Sequence, residues 1–154
     1  MVNIIKMKFF IPFAFLILAT MTSFGQQQKI TLNHIALYVE NLEISSKFYK
    51  EIIGLDTVPE PFKDGLHAWF SIGHGLTLHI IQGPKGKLVQ YRNTHTCFSV
   101  GDIDAFINHL TKAGIIYEDV KGIPSKITTR VDGVKQIYFK DPDGYWIEIN
   151  NDRL

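Results

Sequence analysis

The sequence predicts an α+β fold built from two copies of one βαβββ-like unit, and three observations predict it. The first is an internal repeat: Asn33-His34-Ile35-Ala36-Leu37-Tyr38-Val39 returns as Thr94-His95-Thr96-Cys97-Phe98-Ser99-Val100. The second is the order of periodicities. In each half a strand-like alternation is followed by a helical stripe and then by further short alternating runs. The third is the matched closing strand of each half, Leu76-Thr77-Leu78-His79-Ile80 and Tyr145-Trp146-Ile147-Glu148-Ile149. A side chain able to bind metal opens and closes each copy.

Taken in order, residues 31–39 alternate and form the first strand. Asn41 caps the following helix through its side-chain oxygen. Ile44, Phe48 and Ile52 recur at i+4, Tyr49 and Ile53 widen that stripe, and Gly54 ends it. Strands follow at 55–58, 67–72 and 76–81. Gln82-Gly83-Pro84-Lys85-Gly86-Lys87 is a turn-rich, charged break between the halves. The second half opens with a strand at 95–100, and Asp102 is its helix N-cap. Ile103, Phe106, Ile107 and Leu110 form the apolar stripe, which ends near Gly114. Strands are expected at 116–120, about 128–131, 134–139 and 145–149. Asp141-Pro142-Asp143-Gly144 is a tight turn between the last two: Pro142 presets φ, the aspartates bond local amides, and Gly144 permits positive φ. Module one spans about 30–82 and module two about 93–150.

The 154-residue chain suits one domain or two tightly joined halves. Its N-terminus differs in kind. Lys6 and Lys8 precede the apolar run 9–18, and the small residues Ser23 and Gly25 lie three and one positions before Gln26. This pattern reads as a secretory signal peptide over 1–25. The mature single domain, 26–154, would then be exported, periplasmic or secreted, with no membrane association after cleavage. No cysteine near the cleavage point suggests a lipid anchor. Removing 1–25 takes Lys+Arg from 16 to 14 against 15 Asp+Glu, a net charge near −1. No basic face suggests nucleic acid. Cys97 is the only cysteine, so stability comes from the core or a metal and not from an internal disulfide.

Alternation along strands places the ligand-type residues together. Ile35, Leu37 and Val39 share one face of the first strand, with His34, Ala36 and Tyr38 opposite. In the repeat, Thr96, Phe98 and Val100 oppose His95, Cys97 and Ser99. His79 lies opposite Leu78 and Ile80, and Glu148 opposite Ile147 and Ile149. The greasy faces can pack on helices, leaving His34, His79, His95 and Glu148 on polar faces. Three imidazoles and a carboxylate suit one divalent ion, Zn, Ni, Fe, Co or Mn, with positions open for water or substrate. Glu148 on an otherwise apolar strand is informative, because a buried unpaired carboxylate is costly. Cys97 is expected as a pocket wall, and its neighbours give no reason for a thiolate nucleophile. Arg130, Gln136, Tyr138 and Lys126 are candidates to anchor an anionic substrate. His109 is expected to face solvent from the second helix, His74 lies in a turn between glycines, and His67 can reach the cavity from its strand.

Residues 31–150 resemble the vicinal-oxygen-chelate superfamily, also called the glyoxalase/bleomycin-resistance/dioxygenase group. The motifs that carry this are Asn33 to Val39, Phe48-Tyr49 with Gly54-Leu55, His95 to Val100 with Asp102-Ile103, and Ile137-Tyr138-Phe139-Lys140-Asp141-Pro142-Asp143-Gly144-Tyr145-Trp146-Ile147-Glu148. The resemblance implies two modules curling into an open eight-stranded barrel around a cavity that holds a divalent metal. It also implies a homodimer, often with sites built from modules of two chains. The chain is most similar to the small glyoxalase I branch, whose metal takes two residues per module at positions matching His34, His79, His95 and Glu148. Tyr38, Cys97, Arg130, Tyr138 and Trp146 would line the substrate pocket. Three positions depart from that branch: His79 replaces a glutamate, Tyr38 an arginine and Gly83 an asparagine, the last two being glutathione contacts there. The implied activity is that of a lyase or isomerase on a small substrate with vicinal oxygens. The metal would stabilise an enediolate and Glu148 would shuttle the proton. Two alternatives are a non-haem Fe(II) extradiol-type dioxygenase using His34, His95 and Glu148, and a drug-binding protein of the bleomycin-resistance kind. A thiol transferase acting on fosfomycin is a further option.

Overall fold

Pairing between the first and last strand of each module sets the architecture. In this computed structural model residues 29–83, 86 and 89–153 are described. Strand β1 (His34–Val39) is followed by α1 (Leu42–Lys47), which runs into a π-helical turn at Phe48–Ile52. Strands β2 (Thr57–Val58), β3 (His67–Ser71) and β4 (Thr77–Gln82) complete module one. Module two repeats the order with β5 (His95–Ser99), α2 (Ile103–Lys112), β6 (Thr128–Thr129), β7 (Lys135–Lys140) and β8 (Trp146–Asn150). The two sheets run β1-β4-β3-β2 and β5-β8-β7-β6. The first strand is parallel to the fourth in both, and the other pairs are antiparallel. The register repeats as well: Ala36 faces His79 across the first pair, and Cys97 faces Glu148 across the second.

Local signals act as expected. The Asn41 side chain accepts from Ile44 N–H at 3.0 Å, and that of Asp102 from Ala105 N–H at 2.9 Å. Gly54 and Gly114 close the helices at φ 83° and 71°. The apolar faces of the strands turn inward. Val39, Phe70, Leu78 and Ile80 join Leu110, Ile137, Phe139, Ile147 and Ile149 in one buried cluster, to which Phe48 and Tyr49 of the helical segment belong.

Four expectations need correction. Residues 116–120 form no strand; only Glu118 makes isolated bridges, to Pro124 and Tyr138. Ile115 and Tyr117 pack against the core while Ile116 and Val120 stay exposed, and apart from the Glu118 bridges the segment joins no ladder. The strand expected to 131 ends at Thr129, because Gly133 N–H to Arg130 O turns the chain. Ile44 is 56% exposed and Ser45 takes the inward position: the core-facing stripe is Ser45, Phe48, Tyr49 and Ile52, and the Ser45 hydroxyl is satisfied there by Asp143. Finally, no strand ladder joins the two sheets among the described residues, so the eight-stranded barrel is not formed as one sheet within the chain. The leader expected over 1–25 lies outside the described residues. No observation of the fold supports a signal peptide or a periplasmic address, and that expectation is withdrawn. Among the described residues no helix is long and apolar enough to cross a membrane.

Side chains of the Asp141–Tyr145 turn clasp module two to module one. The Tyr49 hydroxyl donates to Asp141 Oδ2 at 2.6 Å, while Asp141 Oδ1 accepts from the amides of Asp143 and Tyr145. Asp143 accepts from Glu40 N–H and from the Ser45 hydroxyl, both at 2.6 Å. The Tyr145 hydroxyl takes both Tyr38 N–H (3.2 Å) and Tyr38 C=O (3.1 Å) on the free edge of β1. Burial, the largest cause, raises the Asp141 carboxyl above its usual range, and the donors offset this only in part. The charged form is thus less favoured in the folded chain than in the unfolded one. Its contribution to stability is full below the usual carboxylate pKa and declines as pH rises through the raised value. Asp141→Asn is therefore expected to gain stability relative to the wild type between pH 4 and pH 7 in thermal melts. Asp141→Ala, which strands three donors, should cost about 2–4 kcal/mol in urea unfolding. A flat difference across pH would contradict the assignment.

Candidate metal centre

Each module presents two donors on its exposed, polar strand face. In module one the His34 and His79 rings stack at 4.3 Å between centroids, only 8° from parallel. Trp69 of the neighbouring β3 stacks on the other side of His79 at 3.9 Å, because its backbone pairs with His79 in the β3–β4 register. In module two His95 Nε2 stands 3.2 Å from Glu148 Oε2. Glu148 is 6% exposed, and its Oε1 accepts from Asn150 Nδ2 at 3.0 Å and meets the Cys97 thiol at 3.5 Å. Among the described residues no three His, Cys, Asp or Glu side chains converge on one point. The chain thus gathers the four predicted donors into two pairs, one per module, and does not bring the pairs together.

The donors are pre-oriented. His34 Nδ1 bonds Asn33 Oδ1 at 2.8 Å, and His95 Nδ1 bonds Arg92 O at 2.7 Å. An acceptor at Nδ1 fixes that nitrogen as the N–H and leaves the Nε2 lone pair free, the usual arrangement behind a metal-binding imidazole. His79 instead bonds Thr77 Oγ1 through Nε2 at 2.8 Å, leaving Nδ1. Burial first, then the neighbouring His34 and His67, hold His79 below the ordinary histidine range. The set therefore fits a divalent cation in donor chemistry, with His34 and His95 oriented for it through Nε2 and His79 held by its stack and by Thr77.

The remaining predicted residues have distinct places. Tyr138 packs edge-on to His95 at 5.6 Å and accepts from Gln136 Nε2 at 2.7 Å. Burial, with Glu148 beside it, raises its hydroxyl pKa, so it stays a proton donor. Trp146 donates through Nε1 to Gln90 O and lies beneath Lys140. Arg130 is engaged by Asp132 and Asp152 on the surface, and Lys126 is exposed in a loop. His67 is paired with Asp64 at 2.9 Å and lies under Phe62. His109 Nε2 bonds Glu51 O at 3.1 Å and so ties the two helical segments together. Tyr38 is half-exposed on the polar face, and its ring fills the space a Cβ at Gly83 would take, 1.5 Å from its ring carbon.

Comparisons with known proteins show the family and the fold. The family model described as Glyoxalase/Bleomycin resistance protein/Dioxygenase superfamily matches residues 31–149. The chain belongs to that superfamily. Within the superfamily it is similar to "Metallothiol transferase FosB" of Shouchella clausii, at 31% identity over 80% of this chain and 81% of that protein. It is also similar to "Glyoxylase I 4" of Arabidopsis thaliana, at 26% identity over 79% of this chain and 70% of that one. The fold matches that of "Oxidase ChaP-H2" with a TM-score of 0.64 at 23% identity, covering 82% of this chain and 96% of that structure.

Three residues beside the donor pairs were not singled out by sequence reasoning. Arg92 lies 5.7 Å over both the Tyr138 and Trp146 rings and bonds Glu118 at 2.5 Å. It sits in the break between modules, where no periodicity marks it. Trp69 and Asn150 were signalled only by strand parity with His79 and Glu148. Cys97 is pushed up to about 12, by burial first and then by Glu148. In protein stripped of metal, iodoacetamide should therefore alkylate Cys97 at pH 8 at least about a hundredfold more slowly than free cysteine. Alkylation at the free-thiol rate would show a thiolate that the geometry does not provide.

Proposed function

We propose that this chain is a divalent-metal-dependent lyase or isomerase of the glyoxalase kind, acting on a small substrate with two adjacent oxygens. In this proposal two chains form a homodimer, and each site joins His34 and His79 of one protomer to His95 and Glu148 of its partner. One observation carries this reading: the two donor pairs occupy the same register on equivalent polar strand faces, opposite the apolar core. A two-fold axis relating two chains brings unlike modules face to face twice, giving two identical sites and completing an eight-stranded, open barrel around each.

A metal bound there would act as a Lewis acid toward the two substrate oxygens. The protein supplies the rest. Glu148 is the only carboxylate of the four, since His79 stands where the glyoxalase I branch has a glutamate. It would take the proton from the carbon beside the substrate carbonyl and return it to the neighbouring carbon. Asn150 holds Oε1, so Oε2 on the His95 side is the atom that carries the proton. The protonated Tyr138 hydroxyl and the Arg92 guanidinium line the same face and favour an oxyanion.

The likeness to a metallothiol transferase supports a second reading, transfer of a thiol to a small electrophile. Glutathione fits it poorly: the ring of Tyr38 lies over Gly83, at the two positions that carry glutathione contacts in the resembled branch. Any thiol used would be a smaller one.

Metal-loaded protein is expected to turn over a 2-oxoaldehyde, as its hydrate or as its hemithioacetal with a small thiol, in a substrate screen. Glu148→Gln should lower kcat by about a thousandfold or more while metal still binds, with affinity weakened roughly tenfold. Wild-type turnover in that variant would refute the role of Glu148. Oxygen uptake with catechols would favour the dioxygenase alternative, and tight drug binding by metal-free protein the sequestering one.

A further inference from the structure

The clasp between the modules has an unfilled twin. The shared registers equate β1 with β5 and the β3–β4 turn with the β7–β8 turn, since His34 pairs with Thr77 as His95 pairs with Trp146. Tyr38 and Glu40 thus correspond to Ser99 and Gly101, Asp143 to His74, Tyr145 to Leu76, and Ser45 to Phe106. On one side of the molecule, Asp143 and Tyr145 cover the free edge of β1. On the other, the corresponding place is a groove of about 770 Å³. Ile72, His74, Ser99, Gly101 and Phe106 all line it, as the correspondence requires. That volume lies within the range of small-molecule sites.

The groove presents the same backbone groups that the clasp satisfies. Val100 N–H donates to Asn150 O on β8, so alternation along the edge strand β5 turns Ser99 N–H, Ser99 C=O and Gly101 N–H toward the free edge. The turn opposite cannot meet them as its twin does. Leu76 carries no hydroxyl, and His74, at φ 50° between two glycines, carries no carboxylate. The floor differs in a telling way: Phe106 stands where Ser45 donates to Asp143, giving an aromatic surface in place of a hydroxyl. Arg153 lies on the rim. Two carboxylates also line the groove. Asp152 is engaged by Arg130 at 3.5 Å, while Asp56 opposes an anion.

We propose that this groove is a second ligand site, which meets the candidate metal centre only at Cys97 behind Glu148, and that it takes a small aryl acid bearing a para hydroxyl. The clasp is the template. Its hydroxyl bridges one residue's N–H and C=O, and its carboxylate accepts from the N–H two residues on. Two residues along a strand span about 6.6 Å, close to the separation of hydroxyl and carboxylate in a para-hydroxyaryl acid. The ring between them lies on Phe106, and the carboxylate sits near Arg153 and the N-terminus of α2.

Titration of the full-length, metal-free protein with 4-hydroxyphenylacetate, followed by amide NMR, tests this. Saturable shifts at Ser99 and Gly101 are expected, with Kd of about 1 mM or tighter. Phenylacetate, lacking the hydroxyl, and 4-methylphenol, lacking the carboxylate, should each bind roughly fivefold more weakly. By calorimetry Gly101→Pro, which removes the donor where a side chain meets no atom within 4 Å, should weaken binding similarly. Arg153→Gln should weaken it about threefold. Shifts that fail to saturate, that fall on the His34, His79, His95 and Glu148 faces instead, or that are equal for all three probes would overturn the proposal.

Discussion

The parallel pairing of each module's first strand with its last is the constraint on which the rest of the molecule depends. It places two side chains from strands distant in sequence next to each other on one face, Ala36 beside His79 and Cys97 beside Glu148, with His34 and His95 one pleat away. The opposite face of the same strands is the core. A slip of one residue would bury the imidazoles and expose Val39, Leu78 and Ile80, so the apolar cluster holds the donors in register. The chemistry of the site is in this sense specified by residues that never touch it.

The same pairing leaves β1 and β5 as free edges, and the two halves treat them differently. Module two covers β1 with Tyr145 and Asp143, and the buried Asp141–Tyr49 bond anchors that turn. Module one offers β5 only a glycine-flanked histidine and leaves a groove. Duplication supplied two equivalent edges, and divergence at three side chains of the clasp made one a structural joint and the other an open surface. The donors diverged in parallel: two stacked imidazoles on one face, an imidazole and a buried carboxylate on the other. In the proposed reaction that division leaves the acid–base work to Glu148, which Asn150 supports and which lies beside Cys97 and Tyr138.

Much of this was legible because its signals are local. Asn41, Asp102, Gly54, Gly114 and the Asp141–Gly144 turn act through neighbours within a few residues. Strand parity sorted His34, His79, His95 and Glu148 onto polar faces without knowledge of tertiary contacts. What was not legible depends on distant partners. Residues 116–120 carry strand-forming side chains, yet join a sheet only through the bridges at Glu118. Periodicity alone placed Ile44 inward, because the partner that lets Ser45 be buried instead, Asp143, lies in the other module. Arg92 lies in an aperiodic break and acquires meaning only from the Tyr138 and Trp146 rings beneath it. The proposed meeting of the two donor pairs is a matter of how chains associate, which neither spacing nor alternation encodes.

The central claim, that unlike modules of two chains complete each site, is tested by mixing two crippled chains. One carries His34→Ala and His79→Ala, the other His95→Ala and Glu148→Gln, and each alone should hold no tightly bound metal. Refolded together, they should regain one wild-type site per mixed dimer, seen as recovered metal stoichiometry in the heterodimer isolated by orthogonal tags. A heterodimer that binds no more metal than either parent would contradict the account, as would a wild-type protein that binds one metal per chain while remaining monomeric.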